Sequence, residues 1–208
     1  MIAVLTGDVV HSSKMSSRQY SQTIETLKKL ILAEYKKSNA RGDIYRGDEF
    51  QLHYSQPKCA LTSALRFKLN IPCTLSLAFG PYDSFNELPS ASSGPAYIAS
   101  GHGLDNANRG DLLLQFVNNT NTSEITKNSP SLSPEGFKLL NQFFNQTLNN
   151  LTTSQANLLL AYIDNDFPEH KHLAELMGTS RQNISNRLSS MGAHLVRDYV
   201  NYINELLD

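Results

Sequence analysis

Asp8 closes a short apolar run, Ile2 to Thr6, at a Gly7-Asp8 pair, and Asp48-Glu49 follows Gly47 inside the stretch DIYRGDEFQLHY. Carboxylates gathered at one point repel each other, and a shared divalent cation relieves the repulsion. A magnesium ion held by Asp8, Asp48 and Glu49 could in turn bind nucleotide phosphates. His11, Ser12 and Ser13, just after Asp8, could donate to those phosphates or cap the next helix. The competing reading is local: Asp after Gly is favoured at turns for backbone reasons alone.

A second cluster lies in HLAELMGTSRQNISNRLSSMG, residues 172–192. Leu173, Ala174, Leu176 and Met177 read as the inward face of a short helix. Gly178 suits the left-handed turn that ends it, and Thr179 or Ser180 can cap the next. Ile184 and Leu188 then return the second helix to the first, which is the pattern of a helix-turn-helix. A packing hairpin would use the same residues. Its surroundings are acidic: residues 135–208 hold five Lys and Arg against eight Asp and Glu, a net charge of −3. His170, His172 and His194 could add positive charge below neutral pH.

The elements that must position these residues can be read from hydrophobic spacing. Residues 2–6 predict a buried strand. Ile24, Leu27, Leu30, Ile31 and Tyr35 predict an amphipathic helix over 21–37. Residues 43–54 predict a hairpin turning at Gly47-Asp48. A second helix is expected over 58–68, with Leu61, Ala64 and Leu65 inward. A central strand is expected over 72–79, a helix over 95–106 and a strand over 111–117. The composition of 118–134 shifts to Asn, Ser, Thr and Pro, as in a linker. From Glu135 onward the pattern is helical, and in its last helix, 193–207, Leu195, Tyr199, Tyr202 and Leu206 form a stripe flanked by Val196 and Ile203. That stripe reads either as core or as a homodimer seam.

The chain has 208 residues, 40% hydrophobic and 18% charged, with a net charge of −1. That suits packed domains and gives no overall sign of nucleic-acid affinity. Cys59 and Cys73 are not in metal-ligand or redox spacing and read as buried small hydrophobes. MIAVLTGDVV lacks the basic region of a signal peptide, and no stretch is apolar enough to span a bilayer, so the expected location is cytoplasmic, without a membrane partner.

TGDVV and YRGDEFQ together resemble the paired acidic turns of class III nucleotide cyclases and GGDEF-type diguanylate cyclases. GPAYIASGHGLDNA is similar to the cyclase helix that follows the third acidic region. Over nearly its full length the chain resembles the SatD family, with its early GD, GDEFQ turn, GPA helix and C-terminal helix-turn-helix. The resemblance implies that Asp8 and Asp48 are the metal carboxylates, with Glu49 as the next acid and the Val9 carbonyl completing the shell. Arg46 stands where GGDEF has its first Gly, and joins His11, Ser12 and Ser13 as a candidate nucleotide contact. The base-selecting Lys falls at Ile44. The helix Arg that steadies a transferring phosphate falls near Gly101, with only His102 beside it, so efficient cyclisation is not expected.

Gly178-Thr179-Ser180-Arg181, then Ile184 and Leu188, is similar to the helix-turn-helix of the cyclic-AMP receptor protein family. That implies that Arg181, Gln182 and Ser185 face the DNA major groove, with Asn186 beside them, Ser180 on a phosphate and Arg187 facing the backbone. Arg suits guanine and Gln suits adenine, since each bonds bidentately to the base edge.

The expected protein is α+β: a ferredoxin-like, cyclase-palm-like sheet domain over 1–118, a polar linker over 119–134, and an all-α helix-turn-helix domain over 135–208. The leading expectation is a homodimeric DNA-binding regulator whose palm senses a nucleotide or phospho-ligand. The alternatives are a metal-dependent nucleotidyl-transfer enzyme with a helical dimerisation tail, and a pure interaction module.

Overall fold

The computed structural model describes residues 1–45, 47–117 and 133–208, which form two compact units, Met1–Asn141 and Gln142–Asp208. Most of the 119–134 segment expected as a linker therefore lies outside the described residues, as does Arg46.

In the first unit, strand β1 (Ile2–Val9) is followed by a single 3-10 turn and helix α1 (Ser17–Ser38). Next come β2 (Arg41–Tyr45), β3 (Glu49–Tyr54), α2 (Ala60–Asn70), β4 (Cys73–Gly80), α3 (Pro95–Asn106) and β5 (Leu112–Phe116). The sheet order is β2-β3-β1-β4-β5. The first four strands are antiparallel neighbours, and β5 adds in parallel beside β4. This is the anticipated β-α-β-β-α-β arrangement with an α-β extension.

Two local boundaries differ most from expectation. Helix α1 starts at Ser17 rather than 21, because Ser16 and Gln19 form a reciprocal capping box that satisfies the first turn. Strand β1 runs on to Val9, so Gly7 and Asp8 lie inside a strand bonded on both sides. Gly7 is required there: a Cβ would sit 2.3 Å from the Phe50 ring and 2.7 Å from Leu75.

Strand alternation divides the sheet into two faces. On one, Phe50 stacks on Phe67 of α2 at 5.1 Å, and Gly42 leaves room for Ile31 of α1 and Leu52. On the other, Ile2 and Val4 pack against Ala96 and Tyr97 of α3. Asp8 falls on the α3 face with Val4 and Thr6, and its cross-strand partners Glu49 and Thr74 share that face.

Helix α4 (Pro134–Asn149) contains the boundary between the two units. The second unit continues with α5 (Thr153–Asp164), α6 (His170–Met177), α7 (Arg181–Ser190) and α8 (Ala193–Glu205). Gly178, at φ 63°, ends α6 in the left-handed region, and the Ser180 hydroxyl caps α7 by accepting from Asn183 N–H. Leu173, Ala174, Ile184 and Leu188 are buried as expected. Leu176 and Met177 are not: they lie exposed on the last turn of α6, where the chain turns away at Gly178. The α8 stripe also divides. Val196, Tyr199, Val200 and Ile203 are core, with Tyr199 stacked on Phe144, while Leu195 and Leu206 face outward.

Candidate functional site: a carboxylate cleft and an exposed helix start

Asp8 lies in β1, opposite Glu49 of β3 on one side and Thr74 of β4 on the other. Asp48 sits in the hairpin turn, and its carbonyl accepts from Val9 N–H at 3.3 Å, which ties the turn to the end of β1. Burial raises the Asp8 carboxyl above its usual range; Asp48 and then Glu49 raise it further, while a hydrogen bond from Val9 N–H acts the other way. The three acids named from the sequence therefore share one neighbourhood, and Asp8 carries its electrostatic cost. As an in-strand residue, Asp8 is not a turn former.

The 3-10 turn after β1 brings His11, Ser12 and Ser13 over this end of the sheet. The Ser12 hydroxyl donates to Asp48 Oδ2 at 2.5 Å. His11 adopts a left-handed conformation and makes no capping bond with its side chain. Ser16, outside the candidate set, caps α1. A cleft of about 500 Å³ is lined by Asp8, Val9, His11, Ser12, Ser13 and, beyond the expected residues, Lys14, Thr74 and Arg109.

Among the described residues, no group of three or more His, Cys, Asp or Glu side chains is gathered to hold a metal ion. Asp48 instead turns toward Ser12. The donor set that remains is a carboxylate pair, Asp8 and Asp48, close enough that Asp48 raises the Asp8 carboxyl. That fits magnesium, which keeps several waters and is commonly held by one or two carboxylates plus phosphate oxygens.

A polar column behind the cleft fixes α3 to the sheet. Thr6 Oγ1 meets Ser100 Oγ at 2.5 Å and accepts from Gln51 Nε2 at 2.9 Å. Ser100 donates to the Ser76 carbonyl at 3.2 Å, and Gln115 Nε2 donates to the Ala99 carbonyl at 3.1 Å. Gly103 makes the close approach feasible, because a Cβ there would overlap Gln115 and Ser76. Gly101 has open space around it, and His102 at that helix position is exposed.

In the second unit, Arg181 and Gln182 are exposed on the first turn of α7. Gln182 Nε2 donates to Asn186 Oδ1 at 2.9 Å, so the amide is pre-oriented along the helix surface rather than free. Ser185 is half-buried. Arg187 departs from expectation: its guanidinium donates to Ser154 O at 3.3 Å and Ser154 Oγ at 3.0 Å, holding α7 to the start of α5. A shallow hollow lined by Glu169, His170, Lys171 and Arg181 joins the starts of α6 and α7. Lys171 was missed in the sequence because nothing in its spacing links it to Arg181; only the helix crossing does.

No family model matches the chain, and no curated protein matches it. Among solved structures, the catalytic core of a rhodopsin-guanylyl cyclase with converted specificity, in complex with ATPalphaS, is similar over 54% of this chain and 75% of its own, with 15% identity and a TM-score of 0.45. No helix among the described residues is long and apolar enough to cross a membrane.

Proposed function

We propose that this chain is a DNA-binding regulator whose sheet domain takes a nucleotide or phospho-ligand at the Asp8 cleft, with magnesium on Asp8 and Asp48. The observation that carries the DNA part is the start of α7. After a left-handed Gly178, a Ser180-capped helix exposes Arg181 and Gln182 side by side, two side chains able to read base edges. Helices α6 and α7 are then the helix-turn-helix pair of the C-terminal domain, 135–208, and Ser180, Ser185 and Asn186 flank the reading pair. Lys171, rather than Arg187, is the cation placed beside Arg181 for a phosphate.

The proposal is tested by selecting duplexes from random DNA at low salt and measuring binding by fluorescence anisotropy. Arg181→Ala is expected to cost about 1–3 kcal/mol on a selected site and to relax preference at one base pair. Lys171→Ala is expected to weaken all duplexes alike and lower the salt slope by about one unit. In a homodimer, two reading helices about 34 Å apart would select paired half-sites one turn apart. If no duplex is retained at low salt, or Arg181→Ala binds as tightly as the parent, the DNA reading falls.

A second reading is supported by the gathering of Asp8, Asp48 and Glu49 at one end of the sheet, where burial and then the two neighbouring acids raise the Asp8 carboxyl. It is a metal-dependent nucleotidyl transfer, with the helical unit serving to dimerise. α3 supplies no cation at Gly101, so ATP or GTP with magnesium is expected to give no cyclic product. A product that disappears in Asp48→Asn would select this second reading.

A further inference from the structure

Arg109 lies far from Asp8 in sequence, and the fold brings it to the same cleft. After α3 the chain makes a tight turn, Asn108-Arg109-Gly110-Asp111, before entering β5. Asp111 N–H donates to the Asn108 carbonyl at 2.9 Å, and the Asn108 amide donates to Asp111 Oδ2 at 3.1 Å, which closes the turn on itself. Gly110, at φ 82°, takes a conformation that side chains disfavour.

The turn is then pinned from two sides. Gly110 N–H donates to Thr74 Oγ1 at 3.0 Å, and the Lys68 ammonium from α2 donates to the Gly110 carbonyl. Thr74 is the cross-strand neighbour of Asp8. Arg109 therefore projects from a braced turn one strand away from the carboxylate. Across the cleft, Lys14 closes the 3-10 turn that carries Ser12 and Ser13. Arg109 and Lys14 are both exposed. The cleft lining thus holds two cations, Lys14 and Arg109, and one carboxylate, Asp8, with Asp48 and Glu49 beside it.

We infer that Arg109 and Lys14 form the anion anchor of this cleft and that its ligand class is a polyphosphate, with Thr74 positioning Arg109 through Gly110. The inference rests on the nucleotide reading of the cleft and assigns its phosphate end. A guanidinium matches phosphate oxygens with paired donors, whereas an ammonium acts as a point charge. A cation from the turn after α3 supplies charge at the end of the cleft, where α3 itself, with Gly101 and His102, has none. Asp8, Asp48 and Glu49 repel a bare polyphosphate, so binding is expected to be tighter in magnesium than in EDTA, with Arg109 and Lys14 as the protein's own cations.

The test is calorimetric titration of the full chain with tripolyphosphate, ATP and GTP, each in EDTA and in magnesium. The parent protein is expected to bind tripolyphosphate in magnesium and more weakly in EDTA. Arg109→Ala is expected to weaken it about tenfold to a hundredfold, the loss of one charge-assisted contact. Lys14→Ala is expected to weaken it less, and Lys36→Ala, away from the cleft, not at all. Thr74→Val should weaken binding and Thr74→Ser restore it, since Ser keeps the hydroxyl that holds Gly110. If Arg109→Ala binds tripolyphosphate like the parent, the anchor is wrong even where ATP or GTP binds. If tripolyphosphate binds through Arg109 but neither nucleotide does, the anchor stands and the nucleotide reading falls. If the parent binds none of the three, both fall.

Discussion

Arg66→Ala is expected to destabilise the sheet unit by about 3–5 kcal/mol, the largest effect of any single change considered. Arg66 of α2 and Glu34 of α1 are 8% and 2% exposed, and the guanidinium donates to Glu34 Oε1 at 3.1 Å. Removing the cation leaves a carboxylate sealed between two helices with its main counter-charge gone. The carboxylate must then stay charged in an apolar seam or take up a proton. Both routes cost free energy that the paired state does not. The double variant Glu34→Leu with Arg66→Met keeps the volume and removes both charges, and should come within about 1 kcal/mol of the parent or exceed it. Urea unfolding followed by circular dichroism and tyrosine fluorescence provides the measurement, since the chain has no tryptophan. A loss below about 1 kcal/mol for Arg66→Ala would show that Glu34 finds compensation elsewhere.

Acid is expected to remove about 3 kcal/mol through His53 alone. The ring is fully buried on the α3 face, stacked on Phe85 at 4.1 Å, with Nδ1 2.6 Å from the Tyr97 hydroxyl. Nε2 is buried and has no hydrogen-bond partner among the described residues. Burial, with a smaller contribution from Arg41, pushes the imidazole down to about 4. The unfolded chain takes up its proton near 6.5, the folded chain only near 4. Above 6.5 both states are neutral at this residue, and nothing is lost. Between the two values the unfolded state binds the proton and gains, so stability falls as pH falls through that window. Asp8 works in the opposite sense: its raised carboxyl strains the folded state when charged, and protonation relieves the strain. The difference in urea midpoint between the parent and His53→Gln, taken at about pH 7 and about pH 4.5, isolates the histidine. Equal slopes for the two proteins would refute the assignment.

Strands and helices with a repeating apolar pattern were legible in the sequence because their spacing is a local property. The hairpin at Gly47-Asp48, α3 from Pro95, the strand before Phe116 and the Ser180 cap all follow from residues within a few positions of each other. Boundaries set by a bond or a packed ring were less legible. The start of α1 depends on the Ser16–Gln19 box. β1 extends through Asp8 because Gly7 lets Phe50 and Leu75 close over it. Helical spacing on α8 suggests a Leu195–Tyr199–Tyr202–Leu206 stripe flanked by Val196 and Ile203, but the buried face is Val196, Tyr199, Val200 and Ile203, with Tyr199 stacked on Phe144.

The site divides in the same way. Asp8, Asp48 and Glu49 could be named from two short motifs, since each sits at a Gly-Asp pair that announces itself locally. Arg181 and Gln182 likewise follow a turn that any reader of Gly178-Thr179-Ser180 would mark. What the residues meet was decided by tertiary structure. Asp48 turns to Ser12, Arg187 is spent on Ser154, and Lys171 comes beside Arg181 through a helix crossing. Arg109 reaches the cleft only because β5 lies parallel to β4 and Thr74 stands opposite Asp8. Secondary structure and turn chemistry are encoded over a few neighbouring residues. Charge pairing across a sheet depends on strand order and register, which are settled by the packing of both faces at once.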